Sequence, residues 1–126
     1  MIGIDLIKTS RMERFIERFG EKALLRFLVP EEISLVKNHK TAAGFWAVKE
    51  AFSKALGLGI GKDCSFFDMK IYKSETGAPK LALSKKIVEK CKIESTSLSI
   101  THDGEYAIAA VVVEIDSTTT DKIKQF

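Results

Sequence analysis

The run Phe45-Trp46-Ala47-Val48-Lys49-Glu50-Ala51-Phe52-Ser53-Lys54-Ala55-Leu56-Gly57-Leu58-Gly59-Ile60-Gly61 decides the fold. From about Thr41 to Leu56 the chain is rich in Ala, Lys, Glu and Phe and free of Pro, and three alternate glycines then stop the pattern. This predicts a helix over 41–56 with a glycine-marked end. Phe45, Phe52 and Leu56 recur at helical spacing and belong to a core. A second stripe, Ala43, Ala47, Glu50 and Lys54, ends in opposite charges one turn apart. By itself that pair reads as a solvated i,i+4 contact worth about 0.2–0.5 kcal/mol.

Working outward, the N-terminal run Met1 to Ile7 suits a buried strand interrupted by an acid. With period 2, Asp5 shares a face with Gly3 and Ile7, while Ile2, Ile4 and Leu6 share the other. An ionised carboxylate in such a strand needs a partner or a cation, unless it lies at the strand end as a cap or loop residue. Thr9 or Ser10 caps a helix from Arg11 to about Phe19, ended by Gly20, with Met12, Phe15, Ile16 and Phe19 as its apolar side. A short helical piece follows over 21–28, and Pro30-Glu31-Glu32 opens another turn or helix as far as Val36. Residues 37–40 read as a loop with His39 at its surface.

After the central helix, Cys64 to Tyr72 alternates as a strand. Ser74-Glu75-Thr76-Gly77-Ala78-Pro79 is turn chemistry before a short strand over 80–83. Ser84 caps a brief helix to Cys91, and Thr96 to Thr101 alternates as a strand. Asp103-Gly104 is a hairpin dipeptide, and Tyr106 to Ile115 is a buried strand. The expected organisation is one domain over 1–116 and a polar, threonine-rich tail over 117–126. The expected fold class is α+β, a mostly antiparallel sheet against the long central helix.

The length of 126 residues, with 45% hydrophobic and 29% charged residues, excludes a disordered chain and leaves room for one domain. No apolar run approaches the ~20 residues of a membrane span. The acid at position 5 stands where a signal peptide carries lysines, so the expected location is cytoplasmic. Cys64 and Cys91 lack metal-type spacing and read as reduced thiols. The net charge of +3 hides a cluster: Lys8, Arg11, Arg14, Arg18, Lys22 and Arg26 all fall within the first 26 residues. Arg11, Arg14 and Arg18 line one side of the first helix. Such a face favours an anionic partner. Nucleic acid is one candidate, but aromatic residues are not interleaved as a stacking platform requires, and an acidic protein fits at least as well.

Asp5, Glu50 with Lys54, and His102 form a candidate constellation. Two carboxylates without a Cys-His cluster suit a hard cation such as Mg²⁺, which takes carboxylates plus phosphate oxygens and water. A lysine one turn beyond the acid adds a point cation for phosphate, and Gly57, Gly59 and Gly61 allow close backbone approach to a ligand. His102 reads either as a hydrogen-bonded structural histidine or as a contact to an anion or reacting hydroxyl.

Three segments carry a resemblance: Gly3-Ile4-Asp5-Leu6, then Trp46 to Ala55 with Gly57 and Gly59-Ile60-Gly61, then Ser99-Ile100-Thr101-His102. Together with Gly77-Ala78-Pro79-Lys80 they resemble, in order from about residue 2 to 114, the holo-[acyl-carrier-protein] synthases. These are the short members of the 4′-phosphopantetheinyl transferase superfamily. The resemblance implies transfer of phosphopantetheine from coenzyme A to a serine of apo acyl carrier protein, releasing adenosine 3′,5′-bisphosphate, in fatty acid biosynthesis. It implies Asp5 and Glu50 as Mg²⁺ ligands and, with Lys54 and His102, as the catalytic set. It implies Lys49, Lys54, Gly57, Gly59, Gly61 and His102 around coenzyme A. It also implies Arg11, helped by Arg14, Arg18 and Lys22, as the carrier-protein docking face, and a homotrimer with active sites between subunits. The base that takes the serine proton stays open, Glu50 and water being the candidates. One departure stands out: Phe45 occupies a position where relatives often carry Arg, so that adenosine-phosphate contact is either lost or supplied from elsewhere, with Lys49, Lys62 and Lys40 as the candidates. Two other readings compete, a transferase for polyketide or peptide-synthetase carriers and a catalytically silent carrier-binding module.

Overall fold

The computed structural model describes residues 1–116 and residue 125; the tail expected over 117–126 therefore lies, apart from residue 125, outside the described residues. In chain order the elements are β1 (Ile2–Lys8), α1 (Thr9–Phe19), α2 (Glu21–Leu25), α3 (Pro30–Ile33), α4 (His39–Ala55), a 3₁₀ turn (Phe66–Asp68), β2 (Met69–Lys73), β3 (Pro79–Leu83), α5 (Lys85–Cys91), β4 (Ile93–Asp103) and β5 (Tyr106–Ile115). The strands form an antiparallel sheet in the order β1-β5-β4 and a separate β2-β3 hairpin. This is the α+β arrangement expected.

α4 is the axle. Asn38 caps it, its side-chain oxygen accepting from the amides of Lys40 and Thr41 at 2.9 and 3.3 Å. The helix is buried on most of its circumference, with Ala42, Ala43, Phe45, Ala47, Val48, Ala51 and Phe52 all essentially inaccessible. Small residues on one side let the sheet approach closely, and the phenylalanines fill the other. The expected second stripe is thus solvated only at its end: Ala43 and Ala47 are core, and Lys54 alone is exposed.

Three local expectations needed correction. Neither Thr9 nor Ser10 caps α1; the helix starts at Thr9, whose hydroxyl and amide both donate to the Glu105 carbonyl, at 3.1 and 2.7 Å, and pin the helix start to the β4-β5 turn. The strand expected from Cys64 begins only at Met69, because Ser65 and Asp68 close a local turn: the Ser65 hydroxyl accepts from Phe67 N and the Asp68 carboxylate from Ser65 N. Short-range side-chain bonds of this kind outcompete a ladder. Finally, the apolar side of β1 is not covered. Ile2, Ile4 and Leu6 are 70%, 62% and 57% exposed, since α4 packs against only the other face of the sheet. The Ser84 cap, the Gly20 helix end and the Asp103-Gly104 turn stand as expected.

Candidate active site

Gly3 sets the geometry. A Cβ there would overlap the Ala51 carbonyl oxygen and lie 2.6 Å from the Ala55 amide nitrogen, so β1 rests directly on the α4 backbone. Two residues on, and on the same face, Asp5 meets the last turns of that helix. Lys54 Nζ donates to Asp5 Oδ1 at 2.8 Å and lies 3.4 Å from the Ile4 carbonyl. Glu50 sits one turn before Lys54 on α4. Partial burial, and then the negative charge of Asp5, raise the Glu50 pKa above the ordinary carboxylate range, while Lys54 pulls the other way. The hydrogen bond to Asp5 raises Lys54 in turn.

Two carboxylates repelling each other beside a half-exposed lysine fit a hard divalent cation. Such a cation would relieve the repulsion and complete its shell with phosphate oxygens and water. Among the described residues no group of three or more His, Cys, Asp or Glu gathers as a metal cage, so the donor set suits a cation shared with a phosphorylated ligand better than a closed structural site.

His102 lies elsewhere. In sheet register Asp5 stands opposite Ala109, and Ala109 opposite Ile100. His102 is two residues further along β4, which puts the two Cα atoms about 12 Å apart from strand spacing and rise. Asp5 and His102 flank α4 from the two edges of the sheet. His102 Nε2–H donates to the Lys40 carbonyl at 3.0 Å. Its ring lies over Gly44, where a Cβ would stand 3.1 Å from Ile100 and 3.4 Å from His102 Nε2. The histidine opens onto a groove of 640 Å³ whose lining includes Ser34, Lys37, Phe45, Lys73 and Pro79. Among the described residues that lining holds two lysines and a histidine and no acid, the electrostatics of an anion site.

Lys49 is not at this site. It is wholly buried, and its ammonium donates to the Phe27 and Phe66 carbonyls and to Glu32 Oε1 at 2.7, 3.0 and 2.9 Å. Expected as a coenzyme A contact, it is corrected to a core cation. Position 49 falls on the stripe 45, 49, 52, 56, and a lysine in the middle of that apolar stripe was the overlooked signal of a buried partner. Phe45, 1% exposed, lines the groove, and Lys73 Nζ stands 6.0 Å from its ring centre. No local pattern marks Lys37 or Lys73, because only the folding of the hairpin toward α4 brings them together.

The glycine loop is self-contained. The Leu58 and Gly59 amides donate to the Ser53 carbonyl at 3.1 and 3.2 Å, and the Gly61 amide donates to Cys64 O at 2.9 Å. Gly57 and Gly59 hold φ of 73° and 68°, so the turn itself requires glycine. These amides are committed within the chain.

On α1, Arg11, Arg14, Arg18 and Lys22 (the last just beyond it, on α2) are exposed. Arg11 rims an apolar notch of 280 Å³ formed with Ile7, Met12, Phe15 and Trp46. Neighbouring Arg26 stacks over the Phe15 and Phe19 rings at 5.5 and 4.9 Å.

A sheet clasped on one buried helix, with Asp5 of the strand paired to Lys54 of the helix and Glu50 one turn before it, fits a site that handles phosphate. The chain belongs to the 4′-phosphopantetheinyl transferase superfamily, whose model matches residues 1–111. Within it the similar proteins are holo-[acyl-carrier-protein] synthases. That of Sulfurimonas denitrificans is 64% identical over 123 residues, covering 98% of this chain and 100% of the relative. That of Campylobacter fetus is 54% identical, covering 90% and 99%. Among solved structures, Helicobacter pylori holo-[acyl-carrier-protein] synthase in complex with coenzyme A superposes with a TM-score of 0.88 at 50% identity, covering 90% of this chain and 100% of that one. The Neisseria meningitidis enzyme gives 0.81 at 31% identity, covering 90% and 96%.

Proposed function

We propose that this chain, through one domain spanning 1–116, transfers 4′-phosphopantetheine from coenzyme A to a serine of apo acyl carrier protein, in the cytoplasm and for fatty acid biosynthesis. The observation that carries the reading is the Asp5–Glu50–Lys54 cluster, built by β1 lying on α4, in a chain of this family.

In the reaction the serine oxygen bonds to the phosphorus bearing pantetheine. The bond from that phosphorus to the bridging pyrophosphate oxygen breaks, adenosine 3′,5′-bisphosphate leaves, and the serine gives up its proton. Catalysis of such a step is mainly positioning and charge stabilisation. Asp5 and Glu50 would hold Mg²⁺, which when bound supplies neutralising charge at the pyrophosphate oxygens. Lys54, half exposed, adds a point cation to the leaving group. The lysine-lined groove takes the nucleotide end: Lys37, Lys73 and His102 face its phosphates, and Lys73 above Phe45 supplies the cation that relatives draw from arginine.

Two observations support a homotrimer with sites between subunits. The Ile2-Ile4-Leu6 stripe of β1, with Val112 beside it on β5, is an apolar sheet face that asks to be covered. The carboxylates and the groove sit on opposite sides of α4, so a ligand spanning both is naturally bound where one subunit's carboxylates meet the next subunit's groove. Arg11 and its notch receive the carrier protein, with arginine meeting acid at the rim and an apolar side chain entering. The homotrimer is checked by sedimentation.

The test of the function is intact-mass analysis of apo acyl carrier protein incubated with this protein, coenzyme A and Mg²⁺. A gain of about 340 Da on the serine, abolished by EDTA, is the expected result for a covalently transferred group. Carrier binding without a mass gain would instead mark a silent binding module.

A further inference from the structure

The buried Lys49–Glu32 pair takes no part in the proposed chemistry, yet it ties together the walls of the groove. Lys49 Nζ on α4 donates to Phe27 O, Phe66 O and Glu32 Oε1. Glu32 in α3 also accepts the Val29 amide on Oε1 at 3.0 Å and, on Oε2, the Ile71 amide of β2 at 2.8 Å. The segment after α2, α3, α4, the 3₁₀ turn and β2 are thereby joined through two side chains. Three of the groove's walls come from these same segments, the remainder coming from β4 and the β2-β3 turn. Ser34 and Leu35 directly follow α3, Phe45 lies one helical turn before Lys49, and Lys73 is two residues beyond Ile71 on the same strand.

Burying two charges costs free energy that apolar packing of equal volume avoids, so stability alone does not call for this pair. What directional hydrogen bonds to backbone groups add is a fixed separation between elements that apolar contacts would let slide. We propose that Lys49 and Glu32 are positioning residues, which set the spacing of the α3, α4 and β2 walls and so the affinity of the groove for the anionic nucleotide end of coenzyme A. This rests on the proposed reading of the groove.

The experiment is calorimetric titration of the whole protein with coenzyme A, paired with the KM for apo acyl carrier protein and a melting curve. It compares wild type, Glu32→Gln and Lys49→Arg, the latter keeping the charge but changing the reach of the donor. At a temperature well below melting, each variant is expected to raise the coenzyme A Kd about three- to tenfold, with the carrier KM within about twofold. A purely structural pair would lower the melting point and leave that ratio unchanged. The proposal is overturned if either folded variant binds coenzyme A as wild type does, or weakens coenzyme A and carrier equally. A Lys73→Ala/His102→Ala variant separates the two failures: if it too binds coenzyme A normally, the reading of the groove falls rather than the role of the pair.

Discussion

Two lysine-carboxylate pairs sit five residues apart on α4 and behave as opposites. Lys49–Glu32 closes at 2.9 Å with side chains 0% and 1% exposed, and Lys54–Asp5 at 2.8 Å with 52% and 13%. The chemistry is the same and the distances nearly so; only the surroundings differ. In the interior, each charge of the pair must be satisfied by partners on every side, and the result is a rigid junction. At the surface, water shares the solvation, the pair is worth little to stability, and the lysine stays free to exchange its partner for a phosphate. One helix therefore uses one kind of contact for architecture at position 49 and, in the reading proposed above, for chemistry at position 54.

The largest expected effect breaks the buried member. Lys49→Ala leaves Glu32 charged and buried without its cation, and urea denaturation should show a loss of about 3–5 kcal/mol. Next comes the acid beside the exposed pair. Glu50→Gln should cut transfer about a thousandfold, ~4 kcal/mol of barrier, with a urea midpoint at the wild-type value. The carrier face should respond less: Arg11→Glu is expected to raise the carrier KM about fivefold at low salt, the difference fading as ionic strength rises, measured by initial rates across a salt series.

Smallest is a carboxylate that lies between the two extremes and, among the described residues, is hydrogen-bonded by serines and not by a lysine. Burial alone would raise Asp68, but the Ser65 amide and the Ser84 hydroxyl hold its pKa below the usual 3.8. A depressed folded pKa gives stability that is present above the unfolded value and lost as pH falls through the folded one. Asp68→Asn should therefore flatten the stability profile below pH ~4 and leave the slope near neutrality unchanged, as read by thermal melting across pH.

How much of this was legible in the sequence follows the same division between local and distant causes. The central helix, the Ser84 cap, the Asp103-Gly104 turn and the period-2 alternation of β1 are written in neighbouring residues. Asp5, Glu50 and Lys54 could be picked out as candidates for hard-ligand chemistry from their residue types, and β1 resting on α4 brings Asp5 to Lys54, one turn beyond Glu50. Glu32 and Lys49 were not paired, since a contact across 17 residues leaves no periodic trace. The only hint was a cation inside the 45, 49, 52, 56 stripe. The exposure of Ile2, Ile4 and Leu6 also escaped, because an apolar alternation looks the same whether a chain's own helix or a second subunit covers it.

The division of labour along α4 is tested most directly by the transfer rate of Lys54→Met, measured on a sample whose urea midpoint is determined alongside. The expected rate is at least tenfold below wild type, with the midpoint shifted by less than about 1 kcal/mol of stability. Wild-type transfer, or a stability loss as large as that of Lys49→Ala, would contradict it and make the exposed pair one more structural contact.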